Sequence, residues 1–368
     1  MKKLSIIGIG KLGLCFALTL EKHGYNVLGV DLHQSYVDLI NTKQYRSSEP
    51  GLNDLLDKSK WFRATTSMRE AVEHSDTLFV IVATPSLPDG RYSHAQVDSV
   101  IQKLKEIGRQ ETQKNLVITC TVMPGYCDSI KDQLLELNYV VSYNPEFIAQ
   151  GTILRDQENP DMVLIGEANK TSGDLLQEIY ETHTINKPKF ARMTPLEAEI
   201  TKIGLNCFLT TKIAYANMVG DIVKKAGGNP DMVLSAIGSD SRVGNKFLKY
   251  GYGFGGPCLP RDGRALGIFA KDLDMPSKIS NAADESNKLH LQEQIKFFKN
   301  ENQDKLKAIK FDSVTYKQES NLIEESQQLL FAVGLAKEGY KVIINECKDV
   351  VEEVKKIYGD LFQYEVKD

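Results

Sequence analysis

Long apolar runs are missing from this chain. No stretch reaches the roughly 18 consecutive apolar residues that a membrane helix needs, so no spanning segment is expected. Paired metal ligands are missing as well. The six cysteines (Cys15, Cys120, Cys127, Cys207, Cys258 and Cys347) form no C-x-x-C pair, and the six histidines do not cluster with them. No zinc or other metal site is therefore expected. Six cysteines in 368 residues make no disulfide framework, which points to a reducing cytoplasm. Charge of one sign is not in excess either: 45 Lys and Arg stand against 49 Asp and Glu, interspersed, for a net charge of −4. That leaves no general field to attract nucleic acid or an anionic membrane surface, although a local basic pocket for a small anion is still allowed. Internal repeats and low-complexity tracts are absent. Lys2 and Lys3 before an apolar run imitate a signal peptide. Gly8, Gly10, Lys11 and Gly13 break that run, and no small-residue cleavage site follows.

What remains is a chain that can bury a core. Apolar residues make up 42% and charged residues 26%, ordinary for a globular protein, and the length suits two or three domains. Residues 4–9 (LSIIGI) read as a buried parallel strand, 14–24 as a helix stopped by Gly24, and 26–31 (NVLGVD) as the next strand. Further apolar strand candidates are 77–83, 116–122, 139–143 and 162–166, with helical patterns between them. Alternation of strand and helix predicts an α/β fold with a parallel sheet. Near residue 194 the pattern changes. Thr194-Pro195-Leu196-Glu197 reads as a capping box with proline at the first helical position. The amphipathic run behind it lasts until Gly227-Gly228, so one helix of about 30 residues is predicted over 195–226. Residues 229–300 continue mainly helical around the glycine-rich loop 251–257. A polar linker, 301–307, precedes a small α/β unit with strands at 308–314 and 341–345 and a helix over 324–338. This last unit is short for a complete doubly wound domain.

Gly8-Ile9-Gly10-Lys11-Leu12-Gly13 fits G-x-G-x-x-G. The spacing alone is weak, and a close-packed βαβ turn needs the same glycines. Here it follows a strand, opens a helix and sits in a unit of the right length. Such glycines permit the tight turn and let backbone approach a pyrophosphate at the helix N-terminus. Asp31 ends the second strand, 18 residues after Gly13. A carboxylate there accepts hydrogen bonds from ribose hydroxyls and repels a 2′-phosphate, which favours NAD over NADP.

The segment Gly253-Phe254-Gly255-Gly256-Pro257-Cys258-Leu259-Pro260-Arg261-Asp262 is the most informative. Three glycines in four positions let amides approach a ligand or a reacting atom, and Cys258 follows them directly. A thiolate nucleophile needs amides, a cation or a base nearby. The plainer reading is a buried cysteine beside a turn, and the other five cysteines are read that way, in strands and helices. Lys202 and Asn206 lie four apart on one face of the long helix. They suit stabilisation of an alkoxide, but from spacing alone a solvated Lys–Asn pair is the favoured reading.

At this point the sequence resembles the UDP-glucose/GDP-mannose dehydrogenase family, continuously over about residues 1–300 and more weakly to the end. The resemblance is carried by GIGKLG (8–13), Glu49-Pro50-Gly51-Leu52, Ala83-Thr84-Pro85, Thr121-Val122, NPEFIAQG (144–151), NPDMVLIG (159–166), Lys202 with Asn206, DSRVGNKFL (240–248) and GFGGPCLPRD (253–262). It implies a fold similar to the β-hydroxyacid dehydrogenases with a second nucleotide-binding domain added. The domains would be an NAD-binding Rossmann-like domain over 1–194, a central helical dimerisation domain with the cysteine loop over 195–300, and a C-terminal nucleotide-sugar-binding α/β domain over 301–368, ending after its second strand. It implies oxidation of a sugar C6 alcohol twice with two NAD. Cys258 would form a thiohemiacetal and then a thioester. Lys202 and Asn206 would stabilise the oxyanion, Asp262 and Thr121 would position water, and Glu146 would move protons or activate water. NAD would be held by Gly8, Gly10, Lys11, Leu12, Gly13, Asp31, Thr84, Thr121 and Gln150. The sugar nucleotide would be held by Phe147, Lys202, Asn206, Phe247, Lys249, Tyr250, Gly255 and Lys317, with Arg242 reaching in from a neighbouring subunit of a homodimer.

The chain departs from the family at Gln150, where a Glu is usual. It departs again at Tyr316–Ser326, where the family reads F-K-x-x-T-D-D-x-R-E-S. Lys317 and Ser326 match, but Glu324 replaces the arginine, a change of charge where phosphates bind. Three readings compete. The first is a sugar-nucleotide 6-dehydrogenase, with UDP-glucose ahead of GDP-mannose. The second is a single-oxidation β-hydroxyacid dehydrogenase, which leaves Cys258 without a role. The third is a sugar-nucleotide or NAD-binding protein that has lost turnover.

Overall fold

Six apolar strand cores make up most of the larger sheet. A computed structural model describes residues 1–148, 151–317 and 320–367. The chain divides into two compact units, Met1–Lys202 and Ile203–Asp368. The first holds an eight-stranded sheet. Its strands are β1 Lys3–Ile7, β2 Asn26–Val30, β3 Arg63–Thr65, β4 Thr77–Val80, β5 Lys114–Ile118, β6 Tyr139–Tyr143, β7 Met162–Gly166 and β8 Lys189–Met193, in the order β3-β2-β1-β4-β5-β6-β7-β8. Strands β1, β4 and β5 are buried almost throughout, because helices cover both faces of a parallel sheet. The order reverses between β1 and β4, and the crevice beyond the strand ends at such a reversal is where open α/β sheets bind ligands.

The expectation of a wholly parallel sheet is corrected at one edge. β7 runs antiparallel to β6, meeting it at Tyr143 and Gly166, and β8 follows β7 in parallel. Among the described residues between β6 and β7 there is one short helix, Ile153–Glu158, and an antiparallel edge on a parallel sheet is common. Strands β3 and β8 were not predicted: three residues are too few for a periodicity signal, and KFARM lacks an apolar run.

The long helix spans Pro195–Lys225, and its start is the predicted capping box. Thr194 N donates to Glu197 Oε2 at 2.8 Å, and Glu197 N donates to Thr194 Oγ1 at 3.4 Å. One turn later Glu199, fully buried, accepts from Gly125 N at 2.6 Å and Cys127 N at 2.9 Å. Its carboxylate thus caps the helix Tyr126–Leu135, whose N-cap Gly125 has no side chain to do so. Burial holds the Glu199 carboxyl above its ordinary range, against the pull of those two N–H groups.

The second unit continues the long helix with Pro230–Ser239, Leu259–Asp272 and Lys278–Glu301. A small sheet follows, with β9 Ile309–Phe311, β10 Val342–Glu346 and β11 Gln363–Val366 all parallel in the order β11-β10-β9. The expectation that this part ends after two strands is therefore corrected. Helices Gln327–Lys337 and Lys348–Tyr358 help close a core of Phe311, Val314, Leu329, Leu335, Ile344 and Val354. The placement of the minor cysteines is corrected too. Cys15, Cys127 and Cys207 are buried in helices, but Cys120 lies just past β5, and Cys347 is exposed at the N-cap of Lys348–Tyr358. No helix among the described residues is long and apolar enough to cross a membrane.

Replacing Glu199 by Ala strips two buried N–H groups of their acceptor, each at a cost of about 1–3 kcal/mol. Glu199→Ala is therefore expected to lower stability by roughly 2–4 kcal/mol, read from the urea midpoint of the intact chain. An unchanged midpoint would show that the carboxylate is not what caps this helix.

Candidate active site

The glycine turn at the sheet reversal divides its labour. Gly8 has φ +92°, and a Cβ there would lie 2.3 Å from the Ile81 carbonyl oxygen just past β4. A Cβ on Gly13 would lie 2.0 Å from the Gly8 carbonyl oxygen. These two glycines are demanded by packing inside the chain. Gly10 is different, since nothing lies within 4 Å of the position its Cβ would take. It is the N-cap of helix Lys11–Lys22 and provides no side-chain cap, which leaves open space at the positive end of a helix that Leu12 helps bury. Asp31 follows β2 directly; its main-chain N–H is fixed to Thr65 O at 3.1 Å, and its carboxylate accepts from His33 N at 3.1 Å. Lys11 Nζ sits 3.8 Å from buried Glu49, whose carboxylate also holds Gly151 N and Ile153 N. Thr84 donates from Oγ1 to the Thr121 carbonyl at 2.7 Å, joining the ends of β4 and β5. An open helix terminus, a carboxylate at the end of β2 and glycines that narrow the turn fit a dinucleotide. Gln150 lies outside the described residues.

A second group of residues lies where β6 runs out. Lys202, buried on the long helix, donates from Nζ to the Glu146 main-chain oxygen at 2.6 Å and stands 4.4 Å over the Phe147 ring. Burial pushes the Glu146 carboxyl up to about 7, opposed by a hydrogen bond from Tyr180 and by the Lys202 charge. A carboxyl at that level can both take and give a proton near neutrality. Beside it is a cavity of ≈ 10 Å³ for a water centre, lined in part by Asn144, Phe147, Gln157 and Tyr180, which is room for about one water.

The cysteine loop is built within the second unit. Cys258 is exposed and is the N-cap of helix Leu259–Asp272, so its sulfur lies at the positive end of a helix dipole, a position that favours a thiolate. One turn on, Asp262 is 1% exposed, and its Oδ2 accepts from Asn206 Nδ2 at 2.6 Å, while Arg261 Nε lies 3.6 Å from its Oδ1. The glycines have internal reasons that the sequence reading did not supply. A Cβ on Gly253 would meet Asn287, on Gly255 the Glu325 carbonyl oxygen at 2.2 Å, and on Gly256 the Tyr316 ring. Gly256 N donates to Glu324 O at 3.0 Å, and Arg264 grips Glu325 through two bonds of 2.7 and 2.8 Å. The loop is thus pressed against the segment that carries the departures from the family pattern.

Not every expected residue joins these groups. Arg242 is exposed and paired with Asp240 two residues back at 2.7 Å. Phe247 is half exposed in the left-handed region at φ +60°, and Lys249 is exposed. Tyr250 points its hydroxyl at Asp221 Oδ1, 2.9 Å away, and its ring covers Gly220, so it anchors the loop from inside. For Lys317, the main-chain oxygen accepts from Thr315 Oγ1 at 3.0 Å. The sequence reading missed Asn144, Tyr180 and Arg264. Tyr180 shares the buried face of helix Lys170–His183 with Leu176, Ile179 and His183, where it looks like core. Among the described residues no group of three or more His, Cys, Asp or Glu is gathered to hold a metal ion.

Known proteins resemble the chain along its length. The UDP-glucose/GDP-mannose dehydrogenase family, NAD binding domain, matches residues 2–184, and the central domain of the same family matches 196–289. A GDP-mannose 6-dehydrogenase of Pseudomonas putida is 30% identical over 357 residues, covering 93% of this chain and 80% of the relative. A UDP-glucose 6-dehydrogenase of Rickettsia bellii is 31% identical over 290 residues, 77% of this chain and 66% of the relative. Among solved structures, a UDP-glucose dehydrogenase of Pyrobaculum islandicum superposes with a TM-score of 0.88 at 27% identity, covering all of this chain and 86% of that one. With the turn, the lysine helix and the cysteine loop in place, the chain belongs to the UDP-glucose/GDP-mannose dehydrogenase family of NAD-dependent nucleotide-sugar dehydrogenases.

Proposed function

We propose that this chain oxidises the C6 alcohol of a nucleotide sugar to the carboxylate, UDP-glucose first and GDP-mannose second, with Cys258 as covalent nucleophile. The observation that carries the mechanism is Cys258 exposed at a helix N-terminus, one turn from a buried aspartate bonded to Asn206. UDP-glucose is placed first because of the likeness to the Pyrobaculum enzyme over the whole chain. GDP-mannose stands second on the Pseudomonas relatives. The three-part division at 1–194, 195–300 and 301–368 belongs to this reading.

Turning an alcohol into an acid removes two hydrides from one carbon and adds one water. When bound, NAD would supply the acceptor, one molecule for each hydride. Loss of the first hydride and the hydroxyl proton leaves an aldehyde, to which the Cys258 thiolate adds, so the aldehyde does not escape. Lys202 and Asn206 supply donors to the oxygen that becomes negative. Loss of the second hydride leaves a thioester. Water then adds at that carbon and the C–S bond breaks, releasing the acid and regenerating the thiolate. Asp262 and Thr121 position this water, and Glu146 takes its proton. Phe147, Phe247, Lys249, Tyr250, Gly255 and Lys317 complete the sugar-nucleotide site, and Arg242 serves the partner subunit of a homodimer. Support for the dimer comes from Phe208, Tyr215 and Ile222, spaced by seven on the long helix and 62%, 46% and 61% exposed.

Four measurements test this reading. NADH production over a panel of UDP- and GDP-sugars should give two NADH per acid, fastest with UDP-glucose. Cys258→Ser should abolish acid formation while calorimetry shows cofactor and nucleotide-sugar binding nearly intact. Cys347→Ser, at the other exposed helix N-cap, should behave as the unaltered chain. Two NADH per acid at an unchanged rate in Cys258→Ser would refute the covalent mechanism. From Asp31, kcat/KM with NAD should exceed that with NADP by at least about tenfold, ~1.4 kcal/mol, and equal values would contradict the role given to that carboxylate. Light scattering should report about twice the 41.2 kDa chain mass; a fully active species of single mass would sink the dimer.

A further inference from the structure

We infer that Tyr180 is a positioning residue for the proton held by Glu146, its hydroxyl turning between Asn144 and Glu146 so that the carboxyl keeps a hydrogen-bond partner in both charge states. The inference rests on the proton-transfer role proposed for Glu146.

The direction of the hydrogen bonds follows from the groups at the far end. Asn144 Nδ2 donates to the Leu164 main-chain oxygen at 2.9 Å. A carbonyl only accepts, so that bond fixes the amide and turns Oδ1, also only an acceptor, toward Tyr180. The Tyr180 hydroxyl lies 2.8 Å from Asn144 Oδ1 and 3.1 Å from Glu146 Oε1. It has one proton for two acceptors. With Glu146 ionised, the carboxylate draws that proton, because a hydrogen bond to a charged group is roughly twice as strong as a neutral one. With Glu146 protonated, its own O–H donates to the Tyr180 oxygen, and Tyr180 gives its proton to Asn144. Asn144 and Tyr180 are 1% and 4% exposed, so bulk water does not substitute for either partner. Other charged or titratable groups face this pair. Lys202 comes from the long helix, and Asp156, of the helix Ile153–Glu158, lines the small cavity at Glu146. His183 lies with its ring 6.0 Å from that of Tyr180, and burial lowers it to about 3, so it stays neutral over the range in question.

The test is the pH dependence of kcat/KM for UDP-glucose oxidation, followed by NADH from about pH 5.5 to about pH 9. A carboxyl raised to about 7 must lose its proton before it can act as base, so activity rises with pH through an acidic limb near 7. Tyr180→Phe keeps the ring and removes the donor to the carboxylate. The limb should move up by about half a pH unit or more, an activity loss of about threefold below it, with near-normal activity well above it. Asn144→Leu removes the competing acceptor, commits the Tyr180 proton to Glu146 and should move the limb down. Loss of packing does not produce opposite shifts. An unmoved limb in Tyr180→Phe, or shifts of the same sign in the two variants, overturns the inference. Should Tyr180→Phe fail to fold, the downward shift in Asn144→Leu decides alone. Glu146→Gln separates the two levels: it should abolish the limb, and a limb that persists there, or is absent from the unaltered enzyme, removes the role of Glu146 itself.

Discussion

The N-terminal end of the long helix is fastened to the first unit by buried polar contacts, which set Lys202 against the chain that follows β6. Within nine residues Thr194 and Glu197 cap the helix, Ala198 enters the core, Glu199 takes two N–H groups from another helix end, and Lys202 bonds the main chain after β6. In the second unit, Asn206 donates to Asp262 Oδ2 and Cys207 bonds the Asp262 main-chain oxygen at 3.5 Å, so the same helix also fastens the start of the helix Leu259–Asp272.

The buried charges repeat one economy. Glu49, Glu199, Lys202 and Asp262 are all nearly inaccessible, and each makes hydrogen bonds to backbone or side-chain partners. A buried ion without partners would neutralise or destabilise the fold. At Glu146 burial prevails over the Tyr180 hydrogen bond and the Lys202 charge, and the carboxyl is raised to about 7. Burial raises the Glu199 carboxyl as well, against two N–H groups, whereas at Glu146 the opposing hydrogen bond comes from a single hydroxyl.

Glycines mark the dinucleotide turn and the cysteine loop for unequal reasons. In the turn at residues 8–13, two are filled by neighbouring backbone and only Gly10 opens onto empty space. In the cysteine loop all three are occupied by the chain's own Asn287, Glu325 and Tyr316. The loop is shaped from behind by the C-terminal segment, and Glu324, which departs from the family pattern, serves there through its main-chain oxygen.

The sequence by itself determined the α/β class, the dinucleotide turn with Asp31, the capped 31-residue helix and the cysteine loop, because each is a local pattern of spacing, capping or glycine content. Periodicity reads what neighbours along the chain impose. Tertiary structure alone decided the antiparallel edge of the sheet, the third strand of the small sheet and the inward turn of Tyr250. It alone joined Asn206 to Asp262 across 56 positions and Tyr180 to Glu146 across 34. Such pairings depend on which faces are brought together when apolar surface is buried, and no local pattern encodes them. A tyrosine on the apolar face of an ordinary helix reads as core until the fold sets a carboxyl 3.1 Å from its hydroxyl.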